Sequence, residues 1–229
     1  MSDDDKQRRV WDRHARGYDR QMAFIERRFL RDTRAWICRQ ASGDTLEVAI
    51  GTGRNLPYYP DGVRITGVEL SPRMLEIAGQ RAAELGREVD LRLGTAHRLD
   101  FADATFDTVV CTLSLCAIPD DHRAVEEMVR VLRPNGLLLL ADHVVGATRP
   151  VRAVQRLIEL VSVPAAGEHF RRRPIHDVAE AGLHIEKRQR FAAGVIERLA
   201  ARKPAFRRSG ADPSCDAKTP VDQYRQGLA

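Results

Sequence analysis

At 229 residues the chain is long enough for one elaborated domain with a substantial core. Its 43% hydrophobic and 30% charged content is that of a globular protein, and no run of about eighteen uncharged apolar residues offers a membrane-spanning helix. The acidic opening Met1-Ser2-Asp3-Asp4-Asp5-Lys6 has no apolar centre and excludes a secretory signal, so a cytoplasmic location is expected.

Residues 6–40 read as one or two amphipathic helices. Val10, Trp11, Ala15, Tyr18 and Met22 recur at helical spacing, followed by Phe24, Phe29, Leu30, Trp36 and Ile37. Gly17 predicts a bend in the first helix, and Trp11 is expected to pack on the body of the fold. Leu46, Val48 and Ile50 then read as a short buried strand that runs into Gly51-Thr52-Gly53. Glycine suits a turn that needs unusual φ values and lets a ligand approach bare backbone. A second strand, residues 64–69, ends in Glu69. A glycine turn followed by an acid at the tip of the next strand can hold a nucleoside, the acid accepting hydrogen bonds from the ribose hydroxyls. The dinucleotide fingerprint G-x-G-x-x-G wants a third glycine at position 56, where this chain has Leu56 and then Pro57. That opposes a nicotinamide-dinucleotide oxidoreductase.

Ser71 can cap a helix with Pro72 in its first turn, running to about Leu85 with Gly86 as its stop. A strand over 89–93 leads to Gly94-Thr95-Ala96-His97, and the next strand begins at Phe106 and leaves through residues 111–116. A helix over 121–132 ends at Pro134-Asn135-Gly136, and the uninterrupted apolar strand 137–140 follows. That strand delivers Asp142 and His143 to the carboxyl edge of the sheet, where open α/β folds bind ligands. His143 is placed either to orient or deprotonate an acceptor or to make a structural hydrogen bond in a loop. Residues 150–170 form an apolar helical insert that either roofs an acceptor pocket or packs as ordinary core. A helix over 175–181 and strands over 183–190 and 194–201 complete the pattern, with a disordered tail expected over 205–229.

The net charge of +5 is unevenly spread: residues 41–144 carry 10 basic and 16 acidic groups, against 11 and 7 in 1–40 and 14 and 6 in 145–210. Basic flanks around an acidic body suit an anionic membrane surface, and equally suit solvated arginine-rich helix faces. The basic runs lack interleaved aromatics, so no nucleic acid partner is expected. Cys38, Cys111, Cys116 and Cys215 have no CxxC spacing and read as reduced structural thiols, with no metal site expected.

The pattern acid-x-(G/A)-x-G-x-G is met by Glu47, Ala49, Gly51 and Gly53. Together with Trp11-Asp12-Arg13-His14-Ala15-Arg16-Gly17-Tyr18-Asp19 and Arg130-Val131-Leu132-Arg133-Pro134-Asn135-Gly136-Leu137, it resembles class I S-adenosylmethionine-dependent methyltransferases over residues 10–204. Within them the chain looks most similar to bacterial phospholipid N-methyltransferases and membrane-associated thiol methyltransferases. That likeness rests on Gly53-Arg54-Asn55-Leu56 with Tyr59-Pro60, on residues 111–116 and on Asp142-His143-Val144. Two departures are Ala49 for a usual glycine and Thr95 for a usual acid.

The resemblance implies an α/β fold: a doubly wound, mostly parallel seven-stranded Rossmann-like sheet with helices on both faces. Residues 1–40 would be a helical lid, 41–204 the cofactor domain, and 150–170 a helical insert after strand five. It implies S-adenosyl-L-methionine as cofactor, S-adenosyl-L-homocysteine being the product. The implied binding residues are Tyr18, Glu47, Ala49, Gly51, Thr52, Gly53, Asn55, Leu56, Glu69, Leu70, Met74, Thr95, Ala96, His97, Thr112, Leu113 and Ser114, with Tyr18 and His143 as catalytic candidates. The implied function is methyl transfer to a heteroatom of an amphipathic acceptor, foremost the amine of phosphatidylethanolamine. A small thiol, phenol or amine acceptor, and a non-catalytic cofactor-binding membrane-associated protein, remain as alternatives. The expected partners are a small-molecule or lipid substrate and, peripherally, an anionic membrane.

Overall fold

The leucine run at 137–140 lies in the middle of a single sheet, in a computed structural model that describes residues 2–205. Cys215 and all but the first residue of the expected tail lie outside the described residues. The strands are β1 (Asp44–Val48), β2 (Arg64–Glu69), β3 (Val89–Leu93), β4 (Phe106–Thr112), β5 (Leu132–His143), β6 (His184–Phe191) and β7 (Ile196–Arg202). They are ordered β3-β2-β1-β4-β5-β7-β6. The first five are parallel, and β7 runs antiparallel to both of its neighbours.

Side chains alternate between the two faces with the period of a strand. Leu138 and Leu140 point into one core layer with Met128 and Val131 of α4 (Asp121–Val131) and with Ile175 and Val178 of α6 (Pro174–Glu180). Leu139 and Ala141 point into the other, with Ile37 and Cys38 of α2 (Thr33–Cys38) and Ala82 of α3 (Pro72–Glu84). Both faces of the strand are buried, which is why it reads as a continuous apolar run. The doubly wound α/β expectation is met.

Three local expectations are corrected. The first helix, α1 (Asp3–Ile25), runs straight through Gly17 and is followed by a π-helical turn at Glu26–Leu30. β1 ends at Val48, because Ala49 takes a left-handed φ of 55° that turns the chain over. Ile50 therefore packs on the opposite face from Leu46 and Val48. β5 begins before Pro-Asn-Gly rather than after it: Leu132 pairs with Phe106, and regular pairing resumes at Leu137 opposite Thr108.

Candidate cofactor and acceptor site

α1 lies across the carboxyl edge of β1–β4 and is fastened there by a stripe of acids. Asp4, Asp12, Asp19 and Glu26 are seven or eight residues apart, about two helical turns, so they share one face. Together they reach three loops of the sheet edge, Asp19 and Glu26 sharing the one after β1. Asp4 accepts from Nδ1 of His97 at 3.1 Å, while Nε2 of the same ring accepts from the Asp120 backbone at 3.2 Å, an arrangement that assigns the Nδ1–H tautomer. Asp12 accepts from the Ser71 hydroxyl at 2.5 Å. Asp19 accepts from the Thr52 hydroxyl at 2.6 Å and pairs with Arg81. Glu26, at the start of the π turn, takes Arg34 at 2.6 Å and Arg54 at 2.5 Å. Burial pushes the Asp19 and Glu26 carboxyls up, but these hydrogen bonds and cations more than offset it and hold both below the ordinary range.

Beneath α1 is a cavity open to solvent, whose empty space, open solvent included, amounts to about 810 Å³. The glycine turn forms one end: Gly51 and Gly53 have φ of 59° and 75°, values that L side chains rarely adopt. A Cβ on Gly53 would approach Leu56 to 2.9 Å and Ala78 to 3.3 Å, so this glycine also lets the turn pack on α3. Glu69, at the tip of β2, accepts from the backbone N–H of Gly51 and of Ser71, both at 2.9 Å. It is 5% exposed, and burial raises its pKa against those two donors. One carboxylate thus fixes both neighbouring loops and still borders the cavity.

Of the residues the sequence proposed, Tyr18, Ala49, Gly51, Thr52, Glu69, Leu70, Met74, Thr95, Ala96, His97, Thr112, Leu113 and Ser114 line this cavity. Glu47, Gly53, Asn55 and Leu56 are not in its lining and are all buried. Glu47 accepts from Asn55 and from the Tyr59 hydroxyl, each at 2.8 Å. Asn55 also donates to Thr112 at 2.9 Å and accepts from Arg34 at 2.8 Å. These side chains brace the cavity wall from behind. Full burial pushes the Glu47 carboxyl up to about 7, although Tyr59, Arg34 and Asn55 oppose it.

Trp11, expected to be packing, lines the cavity, as do Asp4, Gln7, Arg34 and Arg54, which the sequence reading missed. The spacing of the four acids was the available signal. The Tyr18 ring meets Trp11 edge-on at 6.0 Å. Burial pushes its phenol up to about 12, and its hydroxyl has no hydrogen-bond partner among the described residues.

His143 is not in the cavity lining. It sits behind the exit loop of β4, with Nδ1 4.0 Å from the Cys116 sulfur and its ring 5.3 Å from Phe170. The neighbouring Asp142 carboxylate accepts three backbone N–H groups, from Ser114 (3.0 Å), Cys116 (3.2 Å) and His143 (2.7 Å). Burial lowers the His143 pKa despite Asp142, and burial raises that of Asp142.

The insert helix α5 (Arg149–Ala166) contributes no residue to the lining of this cavity. Its amphipathicity is inverted. Gln155 is buried, accepting from the Gly146 backbone at 2.7 Å and donating to the carbonyls of Val144 and Phe170, both at 2.9 Å. Val154, Leu157, Ile158 and Val161, spaced i, i+3, i+4, i+7, face outward with Leu160, and Leu160 is 72% exposed.

The cavity fits S-adenosylmethionine. Glu69 offers a carboxylate to vicinal hydroxyls, Leu70 and Met74 offer apolar surface to a flat base, and Leu113 and Ser114 line the opposite end. Residues 46–140 match a protein family described as Methyltransferase domain. The chain is 39% identical over 118 residues to phosphatidylethanolamine N-methyltransferase of Cereibacter sphaeroides, covering 51% of this chain and 58% of that one. It is 33% identical over 132 residues to human thiol S-methyltransferase TMT1A, covering 56% and 53%. The chain thus spans little more than half the length of the curated relatives it matches. Among solved structures it superposes on an S-adenosylmethionine-dependent methyltransferase of Thermotoga maritima, described as a possible histamine N-methyltransferase, with a TM-score of 0.65. That superposition has 24% identity and covers 85% of this chain and 99% of that one. It also superposes on the [4+2]-cyclase SpnF, with a TM-score of 0.61 and 21% identity over 76% of this chain and 80% of that one, so the fold by itself does not dictate the reaction. Residues 46–140 thus match the methyltransferase-domain family, and the chain shares the fold of the Thermotoga maritima methyltransferase.

Proposed function

We propose that the protein methylates an amine on an amphipathic acceptor presented at an anionic membrane surface, foremost phosphatidylethanolamine. S-adenosylmethionine, when bound, supplies a methyl group already activated on a sulfonium, so positioning is the protein's main task. Glu69 and the glycine turn hold the nucleoside end, Tyr18 and Trp11 close the cavity from α1, and the braced Thr112–Ser114 wall keeps its shape.

The observation that carries the lipid acceptor is the inverted helix α5. Five exposed large apolar side chains on one helix form a patch with no partner among the described residues, and the exposed arginines Arg149 and Arg156 belong to the same helix. Apolar side chains beside arginines match the chemistry of an anionic bilayer interface. No helix among the described residues is long and apolar enough to cross a membrane, so the contact would be peripheral. The likeness to a phosphatidylethanolamine N-methyltransferase supports the amine, and the likeness to a thiol S-methyltransferase supports a thiol as second reading.

The test uses methyl-labelled S-adenosylmethionine with vesicles of phosphatidylethanolamine and phosphatidylglycerol. Label is expected in the organic phase. Cofactor binding by calorimetry with no labelled lipid would sink the lipid-amine acceptor and leave the thiol reading.

A further inference from the structure

On the sheet face that packs α4 and α6, arginines from three elements meet one buried acid. Glu197 of β7 is paired with Asp142 of β5 on one side and with Arg190 of β6 on the other. Its Oε1 takes Arg188 at 2.8 Å and Arg190 at 3.3 Å. Arg190 also donates to the carbonyls of Val145 (2.5 Å) and Gly194 (2.6 Å), and Arg152 of α5 donates to that of Ala147 (3.2 Å). The Val145 N–H donates to the Arg172 carbonyl at 3.4 Å, which brings Arg173, the residue before α6, beside the same Val145–Ala147 segment.

Hydrogen bonding is left unfinished here. All four buried side-chain polar atoms without a hydrogen-bond partner among the described residues fall in this cluster: Nε of Arg152, Arg173 and Arg190, and Oε2 of Glu197. The Arg173 side chain makes no hydrogen bond or ion pair among the described residues. Buried polar groups in folded proteins are otherwise satisfied, so donors left over in one place mark a missing partner. The charges agree. Burial and the repulsion of neighbouring arginines hold Arg173 and Arg190 below the usual guanidinium range, and Glu197 is the acid that attracts them both. Burial, with Arg173 adding to it, lowers the pKa of the nearby His176, whose other acidic neighbour Glu180 is exposed. Four arginines thus share one buried carboxylate. The side chains of Arg188 and Arg190 are 26% and 24% exposed, so solvent reaches the cluster.

We propose that Arg152, Arg173, Arg188 and Arg190 form an anion site for a phosphate ester, with Arg173 as the group that turns onto it. Guanidinium groups arriving from α5, from the loop before α6 and from β6 suit the several oxygens of a tetrahedral phosphate, each oxygen a strong acceptor for a planar N–H fork. Three spare N–H donors against one spare acceptor fit a group with more acceptor oxygens than hydroxyls. An anion also relieves the repulsion among the arginines. The phosphate of a lipid headgroup and that of a soluble ester share this chemistry. None of the four arginines lines the cofactor cavity, and the site is independent of the methyl-transfer reading.

The test is calorimetry on the full chain at fixed ionic strength, with glycerol phosphate and with short-chain phosphatidylglycerol below its micelle concentration. Parent, Arg173→Gln, Arg173→Lys, Arg152→Gln and Arg39→Gln are compared. Arg39 is exposed and ends α2 on the other face of the sheet, so its variant controls for net charge. The parent is expected to bind, Arg173→Gln at least tenfold more weakly and Arg152→Gln at least threefold, with Arg39→Gln within twofold of the parent. Lysine at 173, a point charge without the fork, should regain only part. Binding of S-adenosylhomocysteine within twofold of the parent identifies the folded variants, and Arg152→Gln carries the comparison if Arg173→Gln does not fold. Binding of glycerol phosphate alone supports a soluble ester, and binding of the lipid alone supports a headgroup. No binding of either probe by the parent would overturn the site. So would equal affinity of the parent and the cluster variants, or a loss in Arg39→Gln as large as theirs. Each of these outcomes leaves the methyl-transfer reading standing.

Discussion

The Asp19 carboxylate receives the Thr52 hydroxyl at 2.6 Å and so joins α1 directly to the middle residue of the glycine turn. Arg81 completes the junction, donating to the Thr52 carbonyl at 2.5 Å and pairing with the other oxygen of Asp19. A helix that carries Tyr18 and Trp11 over the cavity is thereby held at the point where a ligand would enter the turn.

Replacing Asp19 with Ala should loosen α1 without unfolding the sheet. Charge-assisted hydrogen bonds are worth about 1.5–3 kcal/mol each, so losing this group predicts roughly a 10- to 100-fold weaker affinity for S-adenosylmethionine. Calorimetry reads the affinity, and hydrogen exchange over residues 3–25 should speed up while β4 and β5 stay protected. Unchanged exchange in α1 would show that the junction does not restrain it.

Glu69 both shapes the site and borders the ligand, and two substitutions separate those roles. Glu69→Gln keeps one acceptor oxygen and should weaken cofactor binding by about tenfold, whereas Glu69→Ala also frees Gly51 and Ser71 and should cost more. Equal affinity for all three proteins would remove Glu69 from the ribose site.

The buried Glu47 makes stability depend on pH with a definite sign. Its folded pKa is raised from 4.5 to about 7, so the folded chain binds a proton that the unfolded chain has released between those values. Stability from this group is full below about 4.5 and declines as pH rises through about 7. Denaturant titrations from pH 4.5 to 8 should show the decline in the parent and a flatter profile in Glu47→Gln. Parallel profiles would mean that Asn55 and Tyr59 compensate the charge fully.

The outward apolar stripe of α5 predicts a surface effect separable from folding. Leu157→Glu combined with Leu160→Glu, positions 64% and 72% exposed, should leave the melting temperature within about 2 °C, because neither side chain is in the core. Co-sedimentation with phosphatidylglycerol vesicles should fall by at least fivefold, and added salt should weaken the parent as well. Vesicle binding equal to the parent would dissociate α5 from any membrane contact.

Local patterns were enough to predict much of this molecule. Short apolar stretches marked β1, β2 and β4, the uninterrupted leucine run marked β5, Ser71 with Pro72 marked the start of α3, and Gly86 its end. The glycine turn and Glu69 could be read as a nucleoside site because strand, turn and strand tip are close in sequence and bring each other into place. Periodicity also made α5 a helix, but a helix has two faces and periodicity does not say which of them is covered. Only the packed structure put Gln155 inside, on the carbonyls of Val144 and Phe170, and left the leucines out.

The same limit applies across the site. Glu47 belongs to the glycine-turn motif, yet the direction of its side chain depends on Asn55 and Tyr59, so it braces the wall from behind rather than lining the cavity. The four acids of α1 share a face by spacing alone, but that His97, Ser71, Thr52 and Arg54 meet them was decided by long-range docking of the helix. His143 was placed at the sheet edge by the strand pattern, while its neighbours Cys116 and Phe170 come from chain 27 residues away on either side. Sequence determines what is repeated or adjacent. Which side chain faces a ligand is settled by contacts between distant segments, where burial and hydrogen bonding select one packing.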